Sequence, residues 1–406
     1  MNTDLLYYQD PYLRTFRARV VARKSFGGRP AVALDRTAFY PTGGGQPHDT
    51  GTLAPAASAD GGEAVAVVEV LAEDGLVWHI LEQDLSAEEV NGAIDWPRRF
   101  DHMQQHTGQH ILSQAFIQAC AAETVAFHLG STASTIDLNR VPLGPDAVAA
   151  AEALANAIVD DARPVSTAFY TEAELDQLPL RRPPKVSGRI RVVQVQDYDW
   201  SACGGTHLNN TAQVGLIKVV GTERRGPETR VTFLCGRRAR ADYARLLALA
   251  EELAGRFTTG QDELPAAVER LQAENRALRR ELGELEAQWV ASTASAMWAG
   301  ARVAAPGRVV AGTLDCSVER AKRVAQSLRA RPGAVVLLGV RSEQPYLIFT
   351  RADDVDVHVG ELLKVAVAAG GGRGGGRADW AQGGVSAAER LDAALTAALS
   401  ALGVNP

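Results

Sequence analysis

The hydrophobic pattern changes register several times along the chain, and each change predicts a different kind of element. Over residues 1–93 the apolar positions come in short runs. Ala64–Leu71 and Leu76–Leu81 are two of them, and the Glu73-Asp74-Gly75 between them reads as a hairpin turn. From Arg36 to Thr52 the chain runs RTAFYPTGGGQPHDTGT. Three consecutive glycines and two prolines exclude a regular element there. The segment is expected either as a loop of a small barrel or as a backbone-lined wall that a substrate can approach closely. From about residue 94 the spacing becomes helical, with Ile111, Leu112, Ala115, Phe116 and Ala119 on one face between Asp101 and Cys120. A second helix is expected over Ala147–Ala162. Strands are expected over Arg189–Val195, Val214–Thr222 and Thr229–Cys235. Helices and strands without regular βαβ alternation predict an α+β domain.

Further on, Leu264, Val268, Leu271, Asn275, Leu278, Leu282, Leu285 and Trp289 recur at spacings of four and three, a heptad seam. Asn275 falls in the seam, where a polar residue fixes register or partner number at a cost in stability. Ala241–Phe257 is also helical and apolar-striped, with a break at Thr258–Asp262. The seam therefore closes either by an antiparallel return within the chain or in a homodimer through residues 240–295. Residues 296–406 read as an α/β module. Its strands are Val309–Leu314, Ala334–Val340 and Tyr346–Thr350, and its helices lie over Ser317–Ala330 and His358–Ala369. The following GGGRGGGRADWAQGG is expected as a tight loop that meets phosphate through backbone N–H groups and Arg373. Ser386 and Glu389 have capping-box spacing before a last helix that carries Leu391, Leu395, Leu399 and Leu402 on one face.

Composition narrows the class. A chain of 406 residues, 46% hydrophobic and 22% charged, is that of a globular protein with more than one domain. No apolar run has the length of a membrane span, the start lacks a secretory pattern, and the four cysteines are scattered. A reducing, cytoplasmic setting is expected. The net charge of −6 argues against indiscriminate nucleic-acid binding. Basic residues nevertheless cluster around one glycine-rich loop: Arg181, Arg182, Lys185, Arg189 and Arg191, then Arg224, Arg225 and Arg230, then Arg237, Arg238 and Arg240. They are expected as solvated surface or as a phosphate-contacting rim.

The candidate chemistry sits in two matched pairs. His106 and His110 in QQHTGQHILSQAF are four apart, so a helix projects them from one face. Cys203 and His207 in WSACGGTHLNNT have the same spacing in that loop. In a chain with eight histidines and four cysteines, such a set points to a metal, and its nitrogen and sulfur donors favour Zn²⁺ over Mg²⁺ or Ca²⁺. The zinc-peptidase pattern is excluded, because Thr107 stands where the general-base Glu belongs. Asp101-His102-Met103 is not an Asp-His-His triplet either. Four bound donors would be a closed, structural set. Weak binding by one, Cys203 being the candidate, would open a position for hydrolysis. Gly204 and Gly205 are expected to bring backbone N–H groups to an oxyanion. His102 and His128 either line the site or pack, whereas His48, His79 and His358 read as structural.

TAFYPTGGGQPHDTG, DHMQQHTGQHILS and SACGGTHLNNTAQVG together resemble the free-standing alanyl-tRNA editing proteins of the AlaX family and the editing domain of alanyl-tRNA synthetase. The heptad segment followed by the glycine run resembles that synthetase's C-terminal DHHA1 module, with a departure at Arg373. The resemblance covers nearly the whole chain and matches the long form of the family. It implies an N-terminal β-barrel (1–93), a zinc-dependent editing domain (94–239), a coiled-coil spacer (240–295) and a DHHA1-like tRNA-binding module (296–406). It implies a hydrolase that deacylates mischarged tRNA(Ala), carrying serine or glycine. One Zn²⁺ per chain would be held by His106, His110, Cys203 and His207. Thr107, Gln109, Gly43, Gly44, Gly45 and Gln46 would line the amino-acid pocket, with Gly204 and Gly205 beside them.

Overall fold

The short apolar runs at the N-terminus become six strands whose ladder returns to its start. They are β1 (Thr15–Phe26), β2 (Arg29–Leu34), β3 (Gly51–Pro55), β4 (Val65–Glu73), β5 (Leu76–Leu81) and β6 (Glu89–Ile94). They pair in the order β1-β2-β5-β4-β3-β6, and β6 pairs back onto β1 from Thr15↔Ala93 to Arg19↔Glu89. Inward positions such as Val20, Leu34, Phe39, Leu53, Val67, Val70, Leu81 and Val90 fill the interior. The computed structural model describes residues 2–56, 63–184 and 187–405; Lys185 of the first basic cluster lies outside them. The chain divides into two units, Met1–Glu252 and Leu253–Pro406. No helix among the described residues is long and apolar enough to cross a membrane.

In the first unit the central element is α1 (Trp96–Cys120). Its start matches the change to helical spacing near residue 94. Asp95 caps it by accepting from the Arg98 N–H, and a proline occupies its first turn. Every residue from Asp101 to Ser113 is buried, although most of them are polar. The helix is enclosed by β7 (Thr124–Leu129), β8 (Ser134–Leu138), α2 (Pro145–Asp160), β9 (Val165–Tyr170), β10 (Ile190–Val195), β11 (Asp199–Ala202), β12 (Ile217–Arg225) and β13 (Glu228–Cys235). These strands form two sheets, β12-β13-β8-β7 and β9-β10-β11. The unit is thus mixed α and β, and β11, immediately before Cys203, is a strand that the apolar pattern does not announce. A helix, α3 (Gly236–Phe257), leads out across the unit boundary.

The second unit opens with the long helix α4 (Leu264–Ala299). Its seam lies open among the described residues: Leu271, Leu278, Leu282 and Leu285 are each more than half exposed. A six-stranded sheet follows, built from β14 (Arg302–Ala304), β15 (Gly307–Leu314), β16 (Ala334–Val340), β17 (Tyr346–Arg351), β18 (Arg373–Gly376) and β19 (Trp380–Gly384) in the order β14-β15-β16-β17-β19-β18. Three helices, α5 (Val318–Arg329), α6 (Val359–Ala369) and α7 (Leu391–Ala401), complete its core.

Two readings of this region are corrected. The second half of the glycine run, Arg373–Gly376, is not a loop but the edge strand of a hairpin, with Gly374 paired to Gly383 and Gly376 to Ala381. A Cβ at Gly374 or Gly376 would come within 2.6 or 2.3 Å of the facing backbone, so glycine is what lets the two strands close. The capping box before α7 does not form. Ser386 donates its hydroxyl to the Gly370 carbonyl (2.9 Å), and a short 3-10 turn at Ala388–Arg390 precedes the helix instead.

The barrel is locked to α1 by a fully buried ion pair. Arg99 donates from Nε to Asp49 (3.0 Å), and its other nitrogens reach the Pro11 and Ala38 carbonyls. Removing one member of such a pair leaves a bare buried charge. Arg99→Met is expected to destabilise the first unit by roughly 3–5 kcal/mol, and Asp49→Ala similarly. Urea denaturation of the full chain, followed by barrel and helix signals, checks this.

Candidate metal centre

The two halves of the sequence pattern meet at one point. α1 supplies His106 and His110, and the loop after β11 supplies Cys203 and His207. Their donor atoms all lie within 4.8 Å of one another. Cys203 Sγ is 3.3 Å from both His106 Nε2 and His207 Nε2. The three imidazoles are buried, and Cys203 is partly buried.

The outer ring nitrogens show how the donors are aimed. His106 Nδ1 is 2.8 Å from Gln46 Oε1, His207 Nδ1 is 3.2 Å from Thr107 Oγ1, and His110 Nδ1 is 3.3 Å from Asp199 Oδ2. Hydrogen bonds at Nδ1 of His106 and His207, and the Asp199 carboxylate beside Nδ1 of His110, leave the Nε2 atoms for the centre, as in metal-binding histidines. The supports are themselves held. Gln46 Oε1 also accepts the Thr206 N–H (3.0 Å), and its Nε2 donates to Thr206 Oγ1 (2.8 Å). Thr107 Oγ1 accepts the Leu208 N–H (3.0 Å). Asp199 Oδ2 accepts from Ser201 (2.9 Å), and Arg181 Nη1 lies 3.3 Å from Asp199 Oδ1.

Electrostatics favour the donor forms of Cys203 and His207. Burial opposes ionisation of Cys203, but His106 and His207 outweigh it and hold the thiol well below its ordinary value. Burial, reinforced by His106, keeps His207 neutral far below the usual imidazole range. Burial would lower His110 too, yet its bond to Asp199 and the nearby Cys203 raise it. For Asp199, burial is outweighed by Arg181 and His110, and its carboxyl lies below the ordinary range. A thiol held low and a neutral His207 imidazole at one point suit a divalent metal that accepts nitrogen and sulfur.

Other expected site residues take different places. Thr107 and Gln46 are buried behind the histidines. Gln109 is also buried and donates to Ser113 Oγ (2.8 Å). The Gly205 N–H is directed at Cys203 Sγ (3.4 Å) rather than toward an oxyanion. Gly43, Gly44 and Gly204 line a cavity of about 460 Å³ with Tyr7, Tyr8 and Tyr40. Gly45 lies against the Phe127 ring, where a Cβ would come within 2.5 Å. His128 is exposed, and His102 is buried one turn before His106.

Arg181 and Arg191, expected on a surface rim, are turned inward. Arg181 Nη1 donates to the His110 carbonyl (2.9 Å). Arg191 Nη1 donates to the Cys203 and Gly205 carbonyls (2.8 and 2.9 Å), and its guanidinium lies 5.1 Å from the Tyr8 ring centre. Apolar spacing carries no signal for Asp199, Tyr8 or the inward turn of Arg191. The one available cue is that Asp199 lies four residues before Cys203.

Two family models match the chain: "Threonyl and Alanyl tRNA synthetase second additional domain" over residues 190–230, and "DHHA1 domain" over residues 307–403. The alanyl-tRNA editing protein AlaX-L of Pyrococcus horikoshii is 31% identical over 408 residues, covering 95% of each chain. The alanine–tRNA ligases of Pyrococcus abyssi and Pyrobaculum calidifontis are 32% and 36% identical, covering 94% of this chain and 42% of their own. The chain thus spans about two-fifths of the length of these ligases.

Gly205 gives the centre a steric test. A Cβ there would lie 2.2 Å from His106 Cε1 and 2.9 Å from Gln46 Oε1, whereas at Gly204 it would meet only the Tyr8 hydroxyl at 3.2 Å. Gly205→Ala is expected to lose bound metal, and Gly204→Ala to retain it. Metal content per chain after dialysis checks both.

Proposed function

The chain belongs to the family of the alanyl-tRNA editing protein AlaX-L, and we propose that it is a hydrolase that removes a wrong amino acid from tRNA(Ala). The observation that carries this reading is the single point on which His106, His110, Cys203 and His207 converge, each imidazole aimed by its own Nδ1 partner. The metal is zinc, one per chain, as the donor set favours. When bound, it supplies Lewis-acid polarisation for ester hydrolysis. Gln46, Thr107 and Asp199 hold the imidazoles in the tautomer that presents Nε2. Gly43, Gly44 and Gly204, with no side chains on the wall of the aromatic cavity, let an aminoacyl ester approach.

The substrate is Ser-tRNA(Ala), with Gly-tRNA(Ala) as the second candidate. A synthetase pocket built for alanine rejects an added hydroxyl by only about 10²-fold, so a second, hydrolytic sieve is needed. Domain roles follow the expected division: the barrel and editing domain hold the reacting end, and residues 296–406 bind the body of the tRNA. A cytoplasmic location belongs to the same reading.

The closed look of a four-donor set supports a second reading, a tRNA-binding protein with a structural zinc. Deacylation separates the two. Purified, zinc-loaded protein is expected to shorten the lifetime of Ser-tRNA(Ala), and a chelator to abolish the effect. Asp199→Asn, which disturbs the aim of His110, is expected to cost about 10- to 100-fold in activity or metal affinity. An unchanged ester lifetime with loaded wild-type protein leaves the structural reading.

The open seam of α4 is part of the proposal: a second copy of the chain covers it as a homodimer through residues 240–295. Sedimentation is expected to give a dimer. Leu278→Glu with Leu285→Glu is expected to give a folded monomer, because both leucines are exposed within one chain.

A further inference from the structure

Most buried polar groups on α1 are hydrogen-bonded; the exceptions are Nδ1 of His102, Oε1 of Gln109 and Nδ1 of His110, and of these only His102 borders a cavity away from the centre. Gln104 donates to the Gln213 carbonyl (2.9 Å), and Gln105 exchanges two bonds with the backbone of Cys235 (3.0 Å each). His102, at 3% exposure, makes no hydrogen bond among the described residues, and its Nδ1 is wholly enclosed. This imidazole borders a cavity of about 280 Å³, whose wall also includes Pro47, Arg98, Asp101, Arg237 and Arg238.

The charge of the cavity is uneven. Arg238 is engaged by Asp101 and by the Gly130 carbonyl. Asp95, the other carboxylate on the wall, caps α1 and accepts from Thr50. Arg98 uses only Nε, toward the His48 carbonyl (3.0 Å), and both its Nη groups lack a partner among the described residues. Arg237 is exposed, and among the described residues its side chain reaches only the Pro97 carbonyl, at 3.4 Å. Two guanidiniums therefore face the space with donors to offer. Burial together with Arg98, Arg238 and Arg99 pushes the His102 imidazole down to about 3, so the ring sits neutral in a positive field. Guanidinium forks match tetrahedral oxyanions, and a neutral imidazole can add a donor.

The cavity adjoins the metal centre by two routes. His102 precedes His106 by one turn of α1, and Pro47 follows Gln46, which holds His106. We infer that this cavity is a phosphate subsite that holds a backbone phosphodiester of the RNA strand whose end enters the metal centre. The inference rests on the editing reading above and adds to it a fixed point for the strand beside the reacting ester. Arg98 and Arg237 grip the phosphate oxygens, and Arg238, fixed by Asp101, holds the cavity's shape.

Binding tests this apart from hydrolysis. The zinc-loaded full chain is titrated with an uncharged RNA trinucleotide ending in adenosine, with adenosine as the phosphate-free control, over a range of salt. Arg98→Gln and Arg237→Gln are each expected to weaken the trinucleotide about tenfold. The salt slope is expected to fall by about 0.7 for each lost phosphate contact, with adenosine binding unchanged. Inorganic phosphate is expected to shift the ring resonances of His102. Wild-type affinity and slope in both variants, with thermal melts confirming that they are folded, would overturn the inference. A His102 shift with inorganic phosphate, while the trinucleotide ignores both arginines, would also overturn it and leave a free-anion site. Failure of the editing reading would instead appear as an intact aminoacyl ester, which these titrations do not measure.

Discussion

The first unit is organised by the need to bury a charge. Arg99 and Asp49 are both fully excluded from water, and that cost is offset only when every donor of the guanidinium finds an acceptor. The acceptors come from separate parts of the chain: the Pro11 and Ala38 carbonyls and the Asp49 carboxylate. Arg99 thereby fixes the position of the N-terminal segment and the glycine loop against α1. Asp49 lies three residues after Gln46, and Arg99 lies two turns before His106. The hydrogen bond from Gln46 to His106 is thus placed by an ion pair that never touches the centre.

The same constraint explains why α1 is polar and yet enclosed. A buried polar helix is stable only if the surrounding elements offer partners. Here the backbone of Cys235, the carbonyl of Gln213 and the side chain of Arg238 supply them, and Ser113 of the helix itself accepts from Gln109. The packing that satisfies the helix also brings the loop after β11 to His106 and His110. Fold and centre are specified by one set of contacts.

That coupling marks what sequence could reveal. The four donors were legible because i, i+4 spacing and residue chemistry are local properties. The heptad spacing likewise announced α4, and the apolar runs announced the central strands of the second unit and several of the first, but not β1, β2, β7, β8 or β11. Asp199, Arg181 and Arg191 were not legible in their roles, because an ion's partner depends on tertiary placement. Clustered arginines look the same on a rim and in an interior until Asp199 and the Cys203 carbonyl are seen beside them. The glycine run misled for a related reason. Glycines suggest a loop, but Gly374 and Gly376 are small because a facing strand is close. Gln46 and Thr107 lie behind His106 and His207, a supporting position that their motifs did not indicate.

The four donors are not held alike, and the difference follows from their chemistry. Each imidazole has a second ring nitrogen through which a neighbour fixes its direction. A thiol has one polar atom, so the atom that would bind a metal is also the only one that can be held. Cys203 Sγ receives a single backbone N–H, from Gly205 at 3.4 Å. Its position must come from the loop, and Arg191 fastens that loop at the carbonyls on either side of Gly204. A buried guanidinium is a costly fastener, which argues that a loose loop would be costlier still. The side chains that keep the histidines in place act on rings, whereas the one that keeps Cys203 in place acts on backbone. Of the four donors, Cys203 is therefore the one whose retention depends on loop rigidity.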